Sequence, residues 1–279
     1  MQAVILDEIK PKLDMVVGTS VGSMVAAAYA TGIPNITQFF NQYAAGIFSG
    51  DWWIPIPRLW DSAKYPDTGL KKALVSLFGN KKLVDCATKF CATALEMKTG
   101  RRVIFRSYGE SWSDCNKIVI GPDSNMLLVD VCTASSAAQS YFPGHSWGGY
   151  MFWDGGNTGR NAPDLLAIRE AVEGGYATMD EINMLSLGNG QTPWPYFGKD
   201  MSNPGITTVA EATFNVAYSG PESAAVSDAR FLLGNRHYRL DPSVEDYDID
   251  DASSDTLAAM QTAAKQCLAD NPAVASAFA

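Results

Sequence analysis

Residues 15 to 30, Met-Val-Val-Gly-Thr-Ser-Val-Gly-Ser-Met-Val-Ala-Ala-Ala-Tyr-Ala, constrain the fold more than any other stretch. Apolar residues run straight into Gly18-Thr19-Ser20-Val21-Gly22, and a small-residue helical pattern starts at once. The pattern predicts strand, sharp turn and helix with Ser20 at the apex, the layout of a nucleophile elbow. Gly18 and Gly22 fit this geometry, because a chain that reverses so tightly needs residues without Cβ where it passes close to itself. The turn also aims the Val21 N–H toward an oxyanion at the head of the helix, where the dipole favours negative charge. A small-residue helix packed on a strand carries a similar Gly/Ser pattern, so Ser20 implies chemistry only once it has a partner.

The chain has 279 residues, 47% of them hydrophobic and 18% charged, enough to bury a large core. It reads as a single domain over residues 1–279. A formal charge of -9 argues against a nucleic-acid surface, which needs clustered Lys and Arg. Cys86, Cys91, Cys115, Cys132 and Cys267 show no C-x-x-C spacing, and His145 and His237 are the two histidines. A metal site is therefore not expected, and reduced, buried thiols are. No signal peptide is visible, because the N-terminus lacks a basic region and Asp7 and Glu8 interrupt its apolar run. Met15 to Gly50 is free of charge, yet Gly18, Gly22, Gly32 and Pro34 break every window long enough to span a bilayer. A cytoplasmic protein, peripheral at membranes at most, is the expectation.

Along the chain, an amphipathic helix from Met1 is limited by Pro11, and the elbow helix closes at Thr31-Gly32-Ile33-Pro34. A short helix follows over Asn35 to Ala45. Gly46 to Pro66, with Trp52, Trp53, Pro55, Pro57 and Trp60, reads as an aromatic loop: indoles packed under the domain edge, or a lipid-facing rim. Thr68 to Gly79 reads as a helix. Cys86 to Leu95 and Arg102 to Tyr108 read as a hairpin-like pair of strands, and Met126 to Ser140 as helical. Tyr150 to Trp153 is a short strand ending at Asp154-Gly155-Gly156, and Pro163 to Glu173 a helix. Ile182 to Leu187 is a parallel-type strand, Thr207 to Tyr218 and Glu222 to Leu232 are two helices, His237 to Leu240 is a strand, and Asp255 to Leu268 a closing helix. Strands alternating with helices predict an α/β three-layer sandwich around a mainly parallel sheet.

A serine hydroxyl is a poor nucleophile until a base takes its proton. In the order serine, acid, histidine, the base would be His237 or, less simply, His145. The alternative is Asp154, at the end of its own strand and flanked by glycines, since strand ends along one edge of a parallel sheet share a crevice. Asp154-Gly155-Gly156 can equally be a turn, because Gly supplies positive φ after a strand.

Taken together, these residues resemble the patatin-like phospholipase family. Gly18-Thr19-Ser20-Val21-Gly22 looks like its elbow, and Lys64-Tyr65 with Gly69-Leu70 matches its Lys-Tyr segment. Thr133-Ala-Ser-Ser-Ala-Ala-Gln-Ser-Tyr-Phe-Pro143 is similar to its Ala/Ser-rich helix. Phe152-Trp-Asp-Gly-Gly156 with Asn161-Ala-Pro163 looks like its Asp-Gly-Gly motif, and Leu185-Ser-Leu-Gly-Asn-Gly190 matches a late strand. The resemblance implies a Ser-Asp dyad, with Ser20 as nucleophile and Asp154 as base, hydrolysing lipid acyl esters through an acyl-enzyme without cofactor or metal. It implies a lipid or membrane-surface substrate, and motif glycines at Gly18, Gly22, Gly155 and Gly156.

One departure stands out. The family opens with a strand and a loop of the form G-G-G-x-R-G that supplies most of the oxyanion hole, and the 279 residues contain no such run. The expectation is a truncated patatin-like domain with Val21 N–H as its one oxyanion donor and impaired turnover. The competing reading is a catalytically inactive lipid-binding or interaction protein that keeps the fold. Lys64 and Arg160 are candidates for a phosphate contact, although solvated surface charge is the ordinary account of each.

Overall fold

The computed structural model describes residues 1–49, 63–191, 198, 200, 202, 205–245, 247–248 and 250–278. The tryptophans of the aromatic loop, Trp52, Trp53 and Trp60, lie outside the described residues. The chain opens with α1 (Gln2–Ile9), which ends at Lys10 in the left-handed region, one residue before Pro11. Then come β1 (Met15–Gly18), α2 (Val21–Ala30), α3 (Ile36–Ile47), α4 (Thr68–Phe78) and the hairpin β2 (Lys89–Glu96) and β3 (Arg101–Arg106). Short strands β4 (Trp112–Ser113) and β5 (Lys117–Ile120) lead to α5 (Leu128–Ser135), and β6 (His145–Trp147) to β7 (Tyr150–Asp154). The chain continues through α6 (Asp164–Glu173), β8 (Met184–Leu187), α7 (Ile206–Leu233), β9 (His237–Leu240), α8 (Ser254–Ala269) and α9 (Pro272–Phe278).

Alternation along β2 places helices on both sides of the sheet. Phe90, Ala92 and Ala94 point into the main core with Leu70, Ala27 and Val131 from α4, α2 and α5. Cys91 points the other way, into a cluster with Ile104, Val119 and Leu166 of α6. The layered α/β expectation therefore holds in outline.

The expected mainly parallel sheet does not. Among the described residues the sheet runs β4-β5-β3-β2-β7-β6, with β1 also on β2. Only β1–β2 and β3–β5 are parallel, and β2–β3, β2–β7, β4–β5 and β6–β7 are antiparallel. The reason is local: Thr99-Gly100 closes a tight turn with Gly100 at φ 68°, and Gly148-Gly149 does the same at 56° and 83°, so neighbouring strands fold back as hairpins without crossover helices. β8 and β9 form a separate parallel pair.

The two helices expected over 207–232 are one, with Pro221 inside α7. Proline forfeits a single N–H and its ring needs space, which Gly159 leaves: a Cβ there would stand 3.3 Å from the Pro221 Cβ.

Candidate active site

The site is built on one edge of β2. Along that edge β1 pairs with residues 89–92, running parallel, and β7 pairs with residues 94–96, running antiparallel. The two strands therefore point at each other end to end, with Gly18 opposite Ala92 and Asp154 opposite Ala94. Sequence reasoning placed both strand ends on one side of a parallel sheet. They instead meet because the strands run in opposite directions along a shared neighbour.

Ser20 forms the bend between β1 and α2 at φ 55°, ψ -129°, a conformation that costs a residue with a Cβ of order 1–3 kcal/mol. Its surroundings enforce it. The Ser20 N–H donates to Ser135 Oγ at 3.0 Å, and the Ser20 carbonyl accepts from the Ser23 N–H at 2.8 Å and the Ser23 hydroxyl at 2.6 Å. The Thr19 hydroxyl donates to the Arg160 carbonyl at 2.6 Å and lies 2.9 Å from the Thr93 hydroxyl. Gly18 is required by close approach, since a Cβ on it would sit 2.2 Å from the Gly22 carbonyl oxygen. Gly22 itself has more room than expected, with the nearest atom 3.5 Å from its would-be Cβ. As the first residue of α2, Val21 has an N–H with no intrahelical acceptor.

The Ser20 side chain stands near enough to the Asp154 carboxylate to pull on its proton affinity. Asp154 is 3% exposed, accepts the Gly156 N–H at 2.7 Å, and anchors its own N–H on the Ala137 carbonyl at 3.0 Å. Burial pushes its carboxyl up to about 6, against the opposing pull of the bonds from Ser20 and Gly156. Gly155 packs on β2 so closely that a Cβ would meet Thr93 Oγ1 at 2.1 Å. Asn157 steadies the same loop, donating to the Asp154 carbonyl at 3.0 Å.

Neither histidine stands in this chain of contacts. His237 is buried on β9 with Nε2 2.8 Å from Asp164 Oδ2, and His145 Nε2 lies 3.2 Å from Asp130 Oδ1. Ser135, Thr93 and Asn157 were not singled out from sequence. The Ser135-Ser136 pair inside an apolar helix was the available signal for the first. A polar residue in mid-strand, Thr93, was the signal for the second.

Ser20 and Asp154 open on a cavity of about 1180 Å³ whose wall includes Met24, Phe48, Leu70 and Phe142. Residues 15–18 of β1 and 184–187 of β8 line the same cavity. Lys64 and Tyr65 pair backbone to backbone with Ser140 and Tyr141 at 2.7 and 2.8 Å, and Tyr141 lines the cavity. The Tyr65 hydroxyl donates to Asp250 at 2.7 Å, and Lys64 closes a salt bridge on the same carboxylate. Lys64 is thus committed to an ion pair.

Among the described residues no cluster of three or more His, Cys, Asp or Glu could hold a metal ion. The thiols of Cys86, Cys91 and Cys132 are pushed up to about 12 by burial, whereas Cys115 is exposed, contrary to expectation.

The model of the family described as patatin-like phospholipase matches residues 1–168, more than half of the chain. The chain belongs to the patatin-like phospholipase family. Its similarity to a "cGAMP-activated phospholipase" of Pseudomonas aeruginosa is 27% identity over 248 residues, covering 86% of this chain and 71% of that one. Patatin-T5 of Solanum tuberosum is 22% identical over 248 residues, 79% of this chain and 56% of its own. Patatin-like protein 4 of Arabidopsis thaliana is 30% identical over 142 residues, 47% of this chain and 33% of its own. The chain thus spans about a third to a little over half of these plant relatives. Among patatin-like proteins a phospholipase-type hydrolase is the family activity, and no described helix here is long and apolar enough to cross a membrane.

Proposed function

We propose that this patatin-like protein is a lipid acyl hydrolase of phospholipase A or lysophospholipase type that works by a Ser-Asp dyad. The observation that carries the reading is the placing of a hydroxyl on a strained turn beside a buried carboxylate raised to about 6, both lining one cavity. Ser20 Oγ attacks the ester carbonyl while Asp154 takes its proton. The oxyanion forms against the Val21 N–H at the head of α2, and the alkoxide leaves with the proton that Asp154 returns. Asp154 then deprotonates a water, which cleaves the acyl-enzyme and restores Ser20. No step is assigned to a metal or cofactor.

A free aspartate, titrating near 4, is a feeble base; one pushed up to about 6 holds the proton long enough to pass it on at neutral pH. The cavity can take an acyl chain, because its lining includes aromatic and aliphatic side chains such as Met24, Phe48, Leu70 and Phe142. The protein would act from the cytoplasm at a lipid surface.

The proposal includes a limit on turnover. β1 pairs only with β2 and β8 only with β9 among the described residues, while both wall the same cavity. That slot suits an additional strand, the position in which the family's opening strand and glycine-rich loop would add oxyanion donors. Each such donor is worth roughly a hundred- to a thousandfold in rate. With the Val21 N–H as the one donor named among the described residues, turnover should be slow.

Hydrolysis of p-nitrophenyl butyrate by the protein and by its Ser20→Ala and Asp154→Asn variants tests the reading. Activity that survives Ser20→Ala refutes it. Vesicle binding without any Ser20-dependent hydrolysis would favour the second reading, a lipid-binding protein that keeps the fold. The single donor at Val21 is what gives that reading weight.

A further inference from the structure

The wall of the Ser20 cavity holds a hydroxyl with nothing to bond. Ser136 lines the cavity together with Ser20, Val21 and Asp154, is 4% exposed, and its Oγ is buried without a hydrogen-bond partner among the described residues. Its backbone is engaged on both sides: the N–H donates to the Cys132 carbonyl at 3.0 Å, and the carbonyl accepts the Ala138 N–H at 2.8 Å. Only the side chain is idle.

Comparable hydroxyls in this fold are not left so. Thr31 follows α2 as Ser136 follows α5, with its N–H on the carbonyl four residues back, and its hydroxyl bonds that same Ala27 carbonyl at 2.8 Å. Thr133, within α5, bonds the Val129 carbonyl at 2.7 Å. A buried hydroxyl that forgoes its bond costs stability, and a catalytic role is one of the few reasons a fold keeps it.

Its place in the chain points to the ligand atom. Ser136 stands between two residues that hold the dyad by its backbone: Ser135 Oγ accepts the Ser20 N–H at 3.0 Å, and the Ala137 carbonyl accepts the Asp154 N–H at 3.0 Å. Thr37 is the other cavity residue with a buried, unpartnered hydroxyl among the described residues, but its own N–H is held by Asp7 of α1, away from the dyad loops. A serine hydroxyl takes any of three staggered positions by turning about one bond, so the wall can present it to an ester bound at Ser20. In the proposed reaction Asp154 already supplies the proton for the leaving oxygen, whereas the carbonyl oxygen has only the Val21 N–H. We infer that the Ser136 hydroxyl donates a hydrogen bond to that oxygen as it becomes the oxyanion, a second donor beside the backbone one. The inference rests on the Ser20–Asp154 reading. A donor kept from water bonds a developing charge strongly, because it has no solvent bond to give up.

Ser136→Ala tests it, by steady-state hydrolysis of p-nitrophenyl butyrate and ethyl butyrate, thermal melts, and inhibition by butylboronic acid, which forms a tetrahedral adduct on a nucleophilic serine. On both esters kcat should fall about a hundredfold or more with KM within about threefold, because the bond strengthens only in the transition state. Affinity for the boronic acid should fall in parallel. The variant should melt at or above the wild-type temperature, since alanine removes an unbonded buried hydroxyl. Ser135→Ala, which strips the Ser20 N–H of its acceptor, should melt lower. Turnover by Ser136→Ala within about threefold of wild type, while Ser20→Ala is inactive, overturns this inference alone. So does a loss matched by a lowered melting temperature, or one confined to ethyl butyrate, whose alkoxide is the poorer leaving group. Absence of Ser20-dependent hydrolysis in the wild type overturns the dyad reading and this inference with it.

Discussion

Replacing Asp154 with asparagine should stabilise this protein while removing the proposed base. The carboxyl is 3% exposed and raised by burial from 3.8 to about 6. A group whose folded value lies above its unfolded one binds a proton on folding. The wild type therefore loses stability as pH rises from about 4, and the loss is complete above about 6. The interval is about two pH units at about 1.4 kcal/mol each, so the ionised carboxylate costs the fold about 3 kcal/mol at neutral pH. Asparagine keeps an oxygen for the Gly156 N–H and carries no charge. With an unfolding entropy of about 2.1 cal/mol/K per residue, a chain of this size should melt about 5 °C higher as Asp154→Asn at pH 7. Urea melts of both proteins at pH 4 and pH 7 measure the difference, which should be near zero at the first and about 3 kcal/mol at the second. Ester hydrolysis by the wild type should fall about tenfold per pH unit below pH 6, where Asp154 is protonated. An equal difference at both pH values, or a less stable variant at pH 7, would refute the reasoning, because Asp154 would then be held ionised and be a poor base.

Three further outcomes follow from the same geometry. Ser20→Gly should be more stable than Ser20→Ala by about 1 kcal/mol in urea melts, because glycine accepts φ 55°, ψ -129° without strain while both variants lack the hydroxyl. Gly18→Ala should lose more than about 3 kcal/mol, since the methyl would press on backbone at 2.2 Å with nothing flexible to yield; a small shift in melting temperature would mean the elbow is looser than described. His237→Gln should leave kcat for ester hydrolysis within about twofold while lowering stability, because His237 supports the buried Asp164 and not Ser20. Loss of turnover in a folded His237→Gln protein would return the site to a histidine mechanism.

Much of the local structure was readable from residue order. Pro11, Gly32 with Pro34, and Pro163 punctuate the early helices and α6 where expected, because these residues restrict φ or terminate hydrogen bonding whatever surrounds them. The elbow was legible for a related reason: a glycine before the serine marks a close backbone approach, which Gly18 makes and Gly22 does not. Where Pro221 suggested a break, α7 continues, because the space beside its ring belongs to Gly159, 62 positions earlier. Lys64 and Arg160 looked alike as surface cations. Folding gave one a carboxylate, Asp250, and left the other half-buried with its Nε unpartnered.

By itself the sequence determined the residues of the candidate site and the turn that exposes Ser20, since both depend on side-chain chemistry and backbone freedom within a few positions. The tertiary structure decided that Ser20 and Asp154 meet, because only the opposed directions of β1 and β7 along one edge of β2 turn two distant strand ends toward each other. It also decided how basic Asp154 is. Burial is set by everything packed around the carboxyl, and no single stretch of the chain carries that information.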